Sequence, residues 1–335
     1  MQVIRKLLFP FSLVYALVVY FRNLFYNIGL IKSKSYQVTT ICVGNLSVGG
    51  TGKTPMIELL LTMLQNSYQL AVLSRGYKRK SKGFVLADNQ TPLVDIGDEP
   101  FQIFNKFPEV RVAVDANRQH GIEQLEKLID PDIILLDDAY QHRKVRPDFS
   151  ILLTTYQRLY VDDWYLPTGD LRDSKSASKR ADIIIVTKCP PSISDNEQQT
   201  ILRKLHPQPH QQVLFAYLEY HETVVHYAKN LPLDFFKDKN VTLVTGIANP
   251  SPLVNYLDEN GVIFDHLSYP DHHFFTKQEI SELKRKKFII TTEKDFVRLS
   301  NSLDNLYVLA VKHVFKCNGE AILEESVNQL MKANF

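Results

Sequence analysis

The run Val43-Gly44-Asn45-Leu46-Ser47-Val48-Gly49-Gly50-Thr51-Gly52-Lys53-Thr54-Pro55 follows a strand-like apolar segment and precedes a helix-like one. A glycine-rich turn in that setting is a phosphate-binding loop. Successive backbone N–H groups face a polyphosphate, Lys53 adds a mobile positive charge, and the Thr54 hydroxyl ligates Mg2+. The strand–loop–helix unit therefore makes nucleotide chemistry the leading reading, with Gly49, Gly50, Thr51, Gly52, Lys53 and Thr54 as the phosphate contacts. The first position of the G-x-x-x-x-G-K-[ST] pattern is Ser47 rather than glycine, while Gly49, Gly50 and Gly52 still allow close backbone approach.

Strand-like and helix-like segments alternate around this loop. Residues 38–43 feed it, 57–64 read as the helix behind it, and 70–73 as a second strand ending at Ser74-Arg75-Gly76-Tyr77. Further strands are expected at 110–114, 133–136, 151–154 and 183–186, with a helix at 122–128. The alternation predicts an α/β fold, a P-loop NTPase-like parallel sheet flanked by helices. The polar stretches 77–101 and 160–179 are too long for ordinary connectors, which suggests functional loops. A polar, proline-bearing piece at 207–212, followed by β-rich pieces at 213–220 and 224–228, reads as a hinge. A second alternation begins at Val241, with strands to 246, at 262–264, 288–291 and 306–311, and helices at 252–257 and 277–285. The expected organisation is an amino-terminal helical segment (1–30), a P-loop core (31–210), linker strands (211–239) and a smaller carboxyl-terminal α/β domain (240–335).

At 335 residues and 44% hydrophobic content the chain can build a core in each of two domains. Its 39 Lys and Arg nearly balance 37 Asp and Glu, so no overall field points to nucleic acid as a partner. Cys42, Cys189 and Cys317 are scattered without ligand spacing and are expected to be reduced, buried cytosolic thiols, not metal ligands.

From Leu7 to Phe21 the chain is almost unbroken in apolar and aromatic residues, flanked by Arg5, Lys6 and Arg22. This run is shorter than the ~20 residues that span a bilayer, and no small-residue cleavage site follows it. A second amphipathic piece, residues 24–30, comes next. A helix lying in a membrane interface fits best, with Tyr15, Tyr20 and Tyr26 at the headgroup level and the cations on an anionic leaflet. The alternative is a helix packed on the domain's own surface, but the apolar residues are denser than a one-faced packing stripe requires.

Ile133-Ile134-Leu135-Leu136-Asp137-Asp138 is an apolar strand ending in two carboxylates, which sets acids opposite Mg2+ at the carboxyl edge of a sheet. Buried strands often end in Asp on reaching solvent; the loop at Lys53 is what favours Asp137 and Asp138 as metal residues. Gln141-His142-Arg143-Lys144 either offers donors for anionic oxygens or is a solvated turn. Gly97-Asp98-Glu99-Pro100 offers a carboxylate that can take a proton from an attacking hydroxyl; alone, like Asp271-His272-His273, it is an ordinary turn. Ser74-Arg75-Gly76-Tyr77-Lys78-Arg79-Lys80 and Leu171-Arg172-Asp173 supply cations suited to phosphate, against the default of a solvated charge run. Val186-Thr187-Lys188 resembles the base-reading N-K-x-D of GTP-binding proteins without its Asn and Asp, so guanine specificity is not expected. Thr291-Thr292-Glu293-Lys294-Asp295 either closes over nucleotide phosphates or caps a helix.

In their order and combination, the loop through Pro55, Ser74-Arg75-Gly76-Tyr77, Gly97-Asp98-Glu99-Pro100, Asp137-Asp138-Ala139-Tyr140-Gln141-His142-Arg143, Asp271-His272-His273 and Thr292-Glu293-Lys294-Asp295 resemble the tetraacyldisaccharide 4′-kinase family, the lipid A 4′-kinases of Gram-negative bacteria. The resemblance covers nearly the whole chain, and Ser47 is a trait of that family. It implies a kinase that uses ATP and Mg2+ to phosphorylate the 4′-hydroxyl of tetraacyldisaccharide 1-phosphate, giving lipid IVA, at the cytoplasmic face of the bacterial inner membrane. It further implies Lys53 on the β and γ phosphates; Thr54, Asp137 and Asp138 around Mg2+; and Asp98 as base, paired with His272 across the domain cleft. Arg75, Tyr77, Gln141, His142, Arg172 and Asp173 would line the headgroup site. A substrate with four acyl chains stays in the bilayer, which gives the apolar amino terminus a membrane surface as partner. The chain departs from many relatives at Ala139, where they carry Gly, and at Asp173, where a P-L-R-E block has the longer Glu.

Two readings from other classes compete. A P-loop GTPase or metal-insertion ATPase would need a base-reading N-K-x-D or Cys/His metal spacing. A non-catalytic membrane adaptor would have no use for Lys53, Thr54, Asp137 and Asp138 together.

Overall fold

The computed structural model describes residues 2–226 and 229–334. Strands β1 (Thr39–Asn45), β2 (Leu70–Ser74), β3 (Val85–Leu86), β4 (Arg111–Val114), β5 (Ile133–Asp137), β6 (Phe149–Thr155), β7 (Ile183–Thr187) and β8 (Gln212–Tyr220) belong to one sheet. Strands β9 (Thr223–His226), β10 (Lys229–Pro232), β11 (Val241–Thr245), β12 (Phe264–Ser268), β13 (Phe288–Thr292) and β14 (Leu306–Leu309) form a second. The chain then returns, and β15 (Val311–Phe315) closes the first sheet antiparallel to β8, in the order β15-β8-β7-β6-β1-β5-β2-β4-β3.

The strands β8 through β4 in that order are parallel, with β1 central between β5 and β6. Both faces are covered, so the strands read as continuous apolar runs. Ile41, Val43, Leu135, Ile151 and Leu153 pack on one side with Met56, Ile57, Leu60, Leu61, Leu323 and Val327 from two helices. Cys42, Leu136, Leu152, Ile184 and Val186 pack on the other side with Ile122, Leu125, Ile201 and Leu205. This is the expected fold class.

The expected linker is not a hinge. Residues 212–220 are β8, paired in parallel with β7, because Leu214, Phe215 and Ala216 are consecutive buried residues that need cover on both faces. The β-rich piece that follows, expected over 224–228, is β9; Tyr227 and Ala228 lie outside the described residues. The carboxyl end does not belong wholly to the second domain either. Strand β15 and the helix Gly319–Asn334 rejoin the core, so the smaller α/β domain is an insertion between β8 and β15. Cys42 and Cys189 are buried, but Cys317 is exposed: it sits at φ 52 in the turn between β15 and the last helix.

At the amino end a short helix, Gln2–Leu7, precedes a longer one, Phe9–Asn27, which takes in most of both expected apolar pieces. Among the described residues it is the one helix long and apolar enough to cross a membrane. Its burial is inverted relative to a core helix. Ser12, Val19 and Asn23 are buried, while Phe11, Leu13, Val14, Leu17, Val18 and Tyr20 are exposed. Ser12 Oγ donates to Tyr165 O (3.0 Å), Tyr15 OH to Arg172 O (3.0 Å) and Asn23 Nδ2 to Asp173 Oδ1 (2.7 Å). Arg22 sits 2.9 Å from Asp173, which is fully buried. The long polar stretch after residue 160 is thus the cradle for the helix's polar edge.

Candidate active site

Strand β1 delivers the glycine-rich turn to the carboxyl edge of the central sheet, where an α/β fold places its ligands. The turn is cross-braced by Asn45, whose Nδ2 donates to Thr51 Oγ1 at 2.9 Å. Gly49 and Gly52 adopt φ +124 and +88, a region closed to most side chains. Ser47 is not among the residues with positive φ, so a Cβ is tolerated there; it bridges to Leu171 instead. Helix Lys53–Leu64 starts directly at the lysine, which aims its N-terminal N–H groups and positive dipole end at the same point.

Strand β5 ends beside β1 with both acids at this edge. Asp137 Oδ2 accepts from Ser74 Oγ at 2.9 Å, while Oδ1 is buried with no hydrogen-bond partner. Burial, then the neighbouring Glu99 and Asp138, push the Asp137 carboxyl up to about 7. Asp138 occupies the left-handed region (φ 47), which turns its carboxylate toward Lys53 Nζ at 3.7 Å and Arg172 at 2.8 Å. Burial works against its ionisation, but Lys53 and Arg172 outweigh it and hold Asp138 below the usual carboxylate range. Arg118, fully buried, donates to Asp137 O at 3.0 Å and fixes the end of the strand from behind.

A second cluster is assembled across the two domains. Asp98 opens the helix Asp98–Lys106, and its Oδ2 lies 2.7 Å from His272 Nδ1 of the inserted domain. Arg298, whose side chain is only 2% exposed, grips the same carboxylate: Nε donates to Oδ1 at 2.9 Å and the guanidinium tip contacts Oδ2. Burial would raise the Asp98 carboxyl, but the hydrogen bonds from His272 and Arg298 prevail and bring it down to about 2. Lys294 reaches Asp271 (2.8 Å) and His272 Nε2 (3.2 Å), and Tyr77 packs its ring 5.5 Å from that imidazole. Thr292 caps the helix Glu293–Leu299 by accepting from Asp295 N, so that motif builds a helix start and, through Lys294 and Arg298, one wall of the cleft.

The remaining expected headgroup residues divide. Arg75 and Tyr77 are exposed and line a basic cavity of about 430 Å3 with Lys78, Arg79 and Lys82. His142 contacts Ala116 O at 3.1 Å; burial and then Arg118 lower its pKa, keeping it neutral. Gln141 donates to Asn45 O and Arg172 to Asp138 and Asn45, so both brace the phosphate loop. Asp173 departs from the expected headgroup role: fully buried and held by Asn23, Arg22 and Arg180, it anchors the amino-terminal helix. Arg298, Arg118 and Ser74 were missed as functional side chains. Arg298 had a signal, since it follows Asp295 by one helical turn and shares its face; Arg118 had none.

Comparisons with known proteins show the family and the fold. The family model for tetraacyldisaccharide-1-P 4'-kinase matches residues 4–332. The tetraacyldisaccharide 4'-kinase of Flavobacterium johnsoniae is 47% identical over 100% of this chain and 99% of its own length, and that of Flavobacterium psychrophilum 46% over 98% and 97%. The crystal structure of LpxK from Aquifex aeolicus in complex with ATP superposes with a TM-score of 0.81 at 28% identity, covering 98% of this chain and 99% of that one. With a phosphate loop, paired acids and a cross-domain Asp–His pair on one matching fold, the chain belongs to the tetraacyldisaccharide-1-P 4'-kinase family.

Proposed function

We propose that the chain transfers the γ-phosphoryl group of ATP to the 4′-hydroxyl of tetraacyldisaccharide 1-phosphate, giving lipid IVA, while lying on the cytoplasmic face of the bacterial inner membrane. The observation that carries the reaction is a phosphate loop with Lys53 and paired acids together with Asp98 gripped by His272 and Arg298, the residue after Asp98, Glu99, being near enough to Asp137 to raise its carboxyl. Phosphoryl transfer needs little covalent chemistry from the protein; it needs charge placed around the moving group and an oriented alcohol.

In this reading the N–H groups of Gly49, Gly50, Gly52, Lys53 and Thr54 cradle the β and γ phosphates while that of Thr51 donates to Gly49 O at 3.0 Å, and Lys53 moves from Asp138 onto the phosphate oxygens. Among the described residues Asp98 Oδ1 accepts from Arg298 Nε alone, which leaves an acceptor site for the sugar hydroxyl, whose proton it takes late in the transfer. His272 and Arg298 hold that carboxylate in place, as positioning residues. The orphaned Oδ1 of Asp137, beside Asp138 and Glu99, is an acidic setting short of a cation, and it fits Mg2+. Mg2+ in nucleotide sites is commonly held through one or two carboxylates together with the phosphates. When bound through Asp137, Asp138 and the Thr54 hydroxyl, Mg2+ supplies charge neutralisation on the β and γ oxygens. Arg75 and Tyr77, with the lysines of the basic cavity, receive the phosphate-bearing headgroup, and His142 borders it.

The outward apolar face of Phe9–Asn27 supports the membrane reading, because a helix that buries its polar edge and exposes its apolar face has water as the wrong solvent. Trp164, exposed and packed edge-on to Phe9, extends that face. The deciding experiment supplies labelled ATP, Mg2+ and the tetraacyl disaccharide 1-phosphate in detergent micelles and follows label onto the lipid. Transfer no higher than in Lys53→Ala overturns the kinase reading; GTP hydrolysis without lipid labelling would favour the GTPase alternative. Flotation with anionic liposomes, lost in a Phe11→Glu, Leu17→Glu double variant, tests the membrane face.

A further inference from the structure

Two side chains outside the phosphate cluster hold the centre of its loop. Thr187 Oγ1, at the end of β7, donates to Thr51 O at 2.8 Å, and His313 Nε2, on β15, donates to Gly52 O at 2.9 Å. A peptide unit is planar and trans, so pinning a carbonyl on one side sends the next residue's N–H to the other. Gly52 O also accepts the first bond of the following helix, from Met56 N at 3.2 Å, so His313 is a second donor on the same carbonyl; holding Thr51 O and Gly52 O aims the N–H groups of Gly52 and Lys53 away from these donors. His313 is 2% exposed, and its Nδ1 is buried without a hydrogen-bond partner. Burial pushes its pKa down to about 4, so the imidazole is neutral with its proton on Nε2, the tautomer that the carbonyl requires. The fit leaves no slack: a Cβ at Gly52 would lie 2.8 Å from that nitrogen.

We propose that His313 is a positioning residue for the nucleotide, helping to hold the Gly52–Lys53 peptide for phosphate binding and tying it to the strand on which the chain returns from the inserted domain. The tie is short, because Ala310 alone separates β14, in the second sheet, from β15, in the first. The strand that leaves the second domain thus touches the phosphate loop, while the second domain itself touches Asp98 through His272 and Arg298. The inference rests on the reading of the loop as the ATP site.

Its test measures ATP binding by calorimetry and KM for ATP and for the lipid in the full chain, in His313→Ala, His313→Gln and His313→Asn. Loss of one hydrogen bond to the loop should raise the Kd and KM for ATP about 5- to 10-fold, with the KM for the lipid unchanged. Glutamine, whose amide nitrogen reaches the level of Nε2, should restore most of the affinity; asparagine, ending at the level of Nδ1, should not. An unchanged KM for ATP in His313→Ala, or equal rescue by Asn and Gln, overturns the proposal while leaving the ATP reading intact. Absence of ATP binding in the unmodified chain overturns both. If His313→Ala does not fold, the contrast between Gln and Asn decides alone.

Discussion

The Lys53 side and the Asp98 side of the proposed active site are built in opposite ways. Lys53 opens the helix that follows β1 and its loop, and Asp137 and Asp138 lie at the end of β5, which pairs with β1 residue by residue. Asp98 meets His272 and Arg298 from 174 and 200 positions away. The first is rigid because a buried parallel sheet fixes it, whereas the second exists only while two domains stay in register. Phosphate binding should therefore survive changes that loosen the domains, and proton acceptance should not.

The largest break in this comparison is Lys53→Ala, which should lower kcat/KM by about 10³-fold through lost charge on the transferred group and weaken ATP binding measured by calorimetry. Asp98→Asn should lower kcat by about 10²-fold or more with ATP affinity kept. Equal loss of both would move Asp98 to the nucleotide side. Arg298→Ala leaves a buried carboxylate with half its partners, so thermal melts should report about 3 kcal/mol of lost stability, together with a fall in kcat and little change in ATP affinity. The same pair sets the acid limit. Asp98 is depressed to about 2, so its contribution to stability is complete above the unfolded value of about 4 and is lost as pH falls toward 2. Asp98→Asn should flatten that part of the acid-unfolding curve. The smallest expected effect concerns the metal. Asp137, raised to about 7, must ionise to take Mg2+, so the half-activating Mg2+ concentration should fall by about tenfold between pH 6 and 8. An unchanged Mg2+ requirement across that range would remove Asp137 from the metal's ligands.

The two sides also differed in how openly the chain announced them. The loop, the strand ending in Asp137-Asp138 and the α/β class could be read directly, because each depends on contiguous residues whose spacing matches a strand, a turn or a helix start. The boundaries of the second domain could not. A strand such as β8 looks like a linker until its neighbours are known, and nothing local tells β15 to leave one sheet for the other. Asp173 shows the same limit at a single residue: beside Arg172 it reads as a headgroup contact, yet burial under the amino-terminal helix makes it an anchor. Arg118 and His313 carry no motif at all, and their partners are backbone carbonyls of distant turns.

Local chemistry in the chain pointed to a loop whose backbone N–H groups and lysine suit a polyphosphate, and showed that an apolar run precedes it. The direction in which the helix of that run faces, the pairing of Asp98 with Arg298, and the bracing of Gly52 by His313 were decided by packing. Each depends on which groups are taken out of water together, and only the folded chain brings those groups within hydrogen-bond reach.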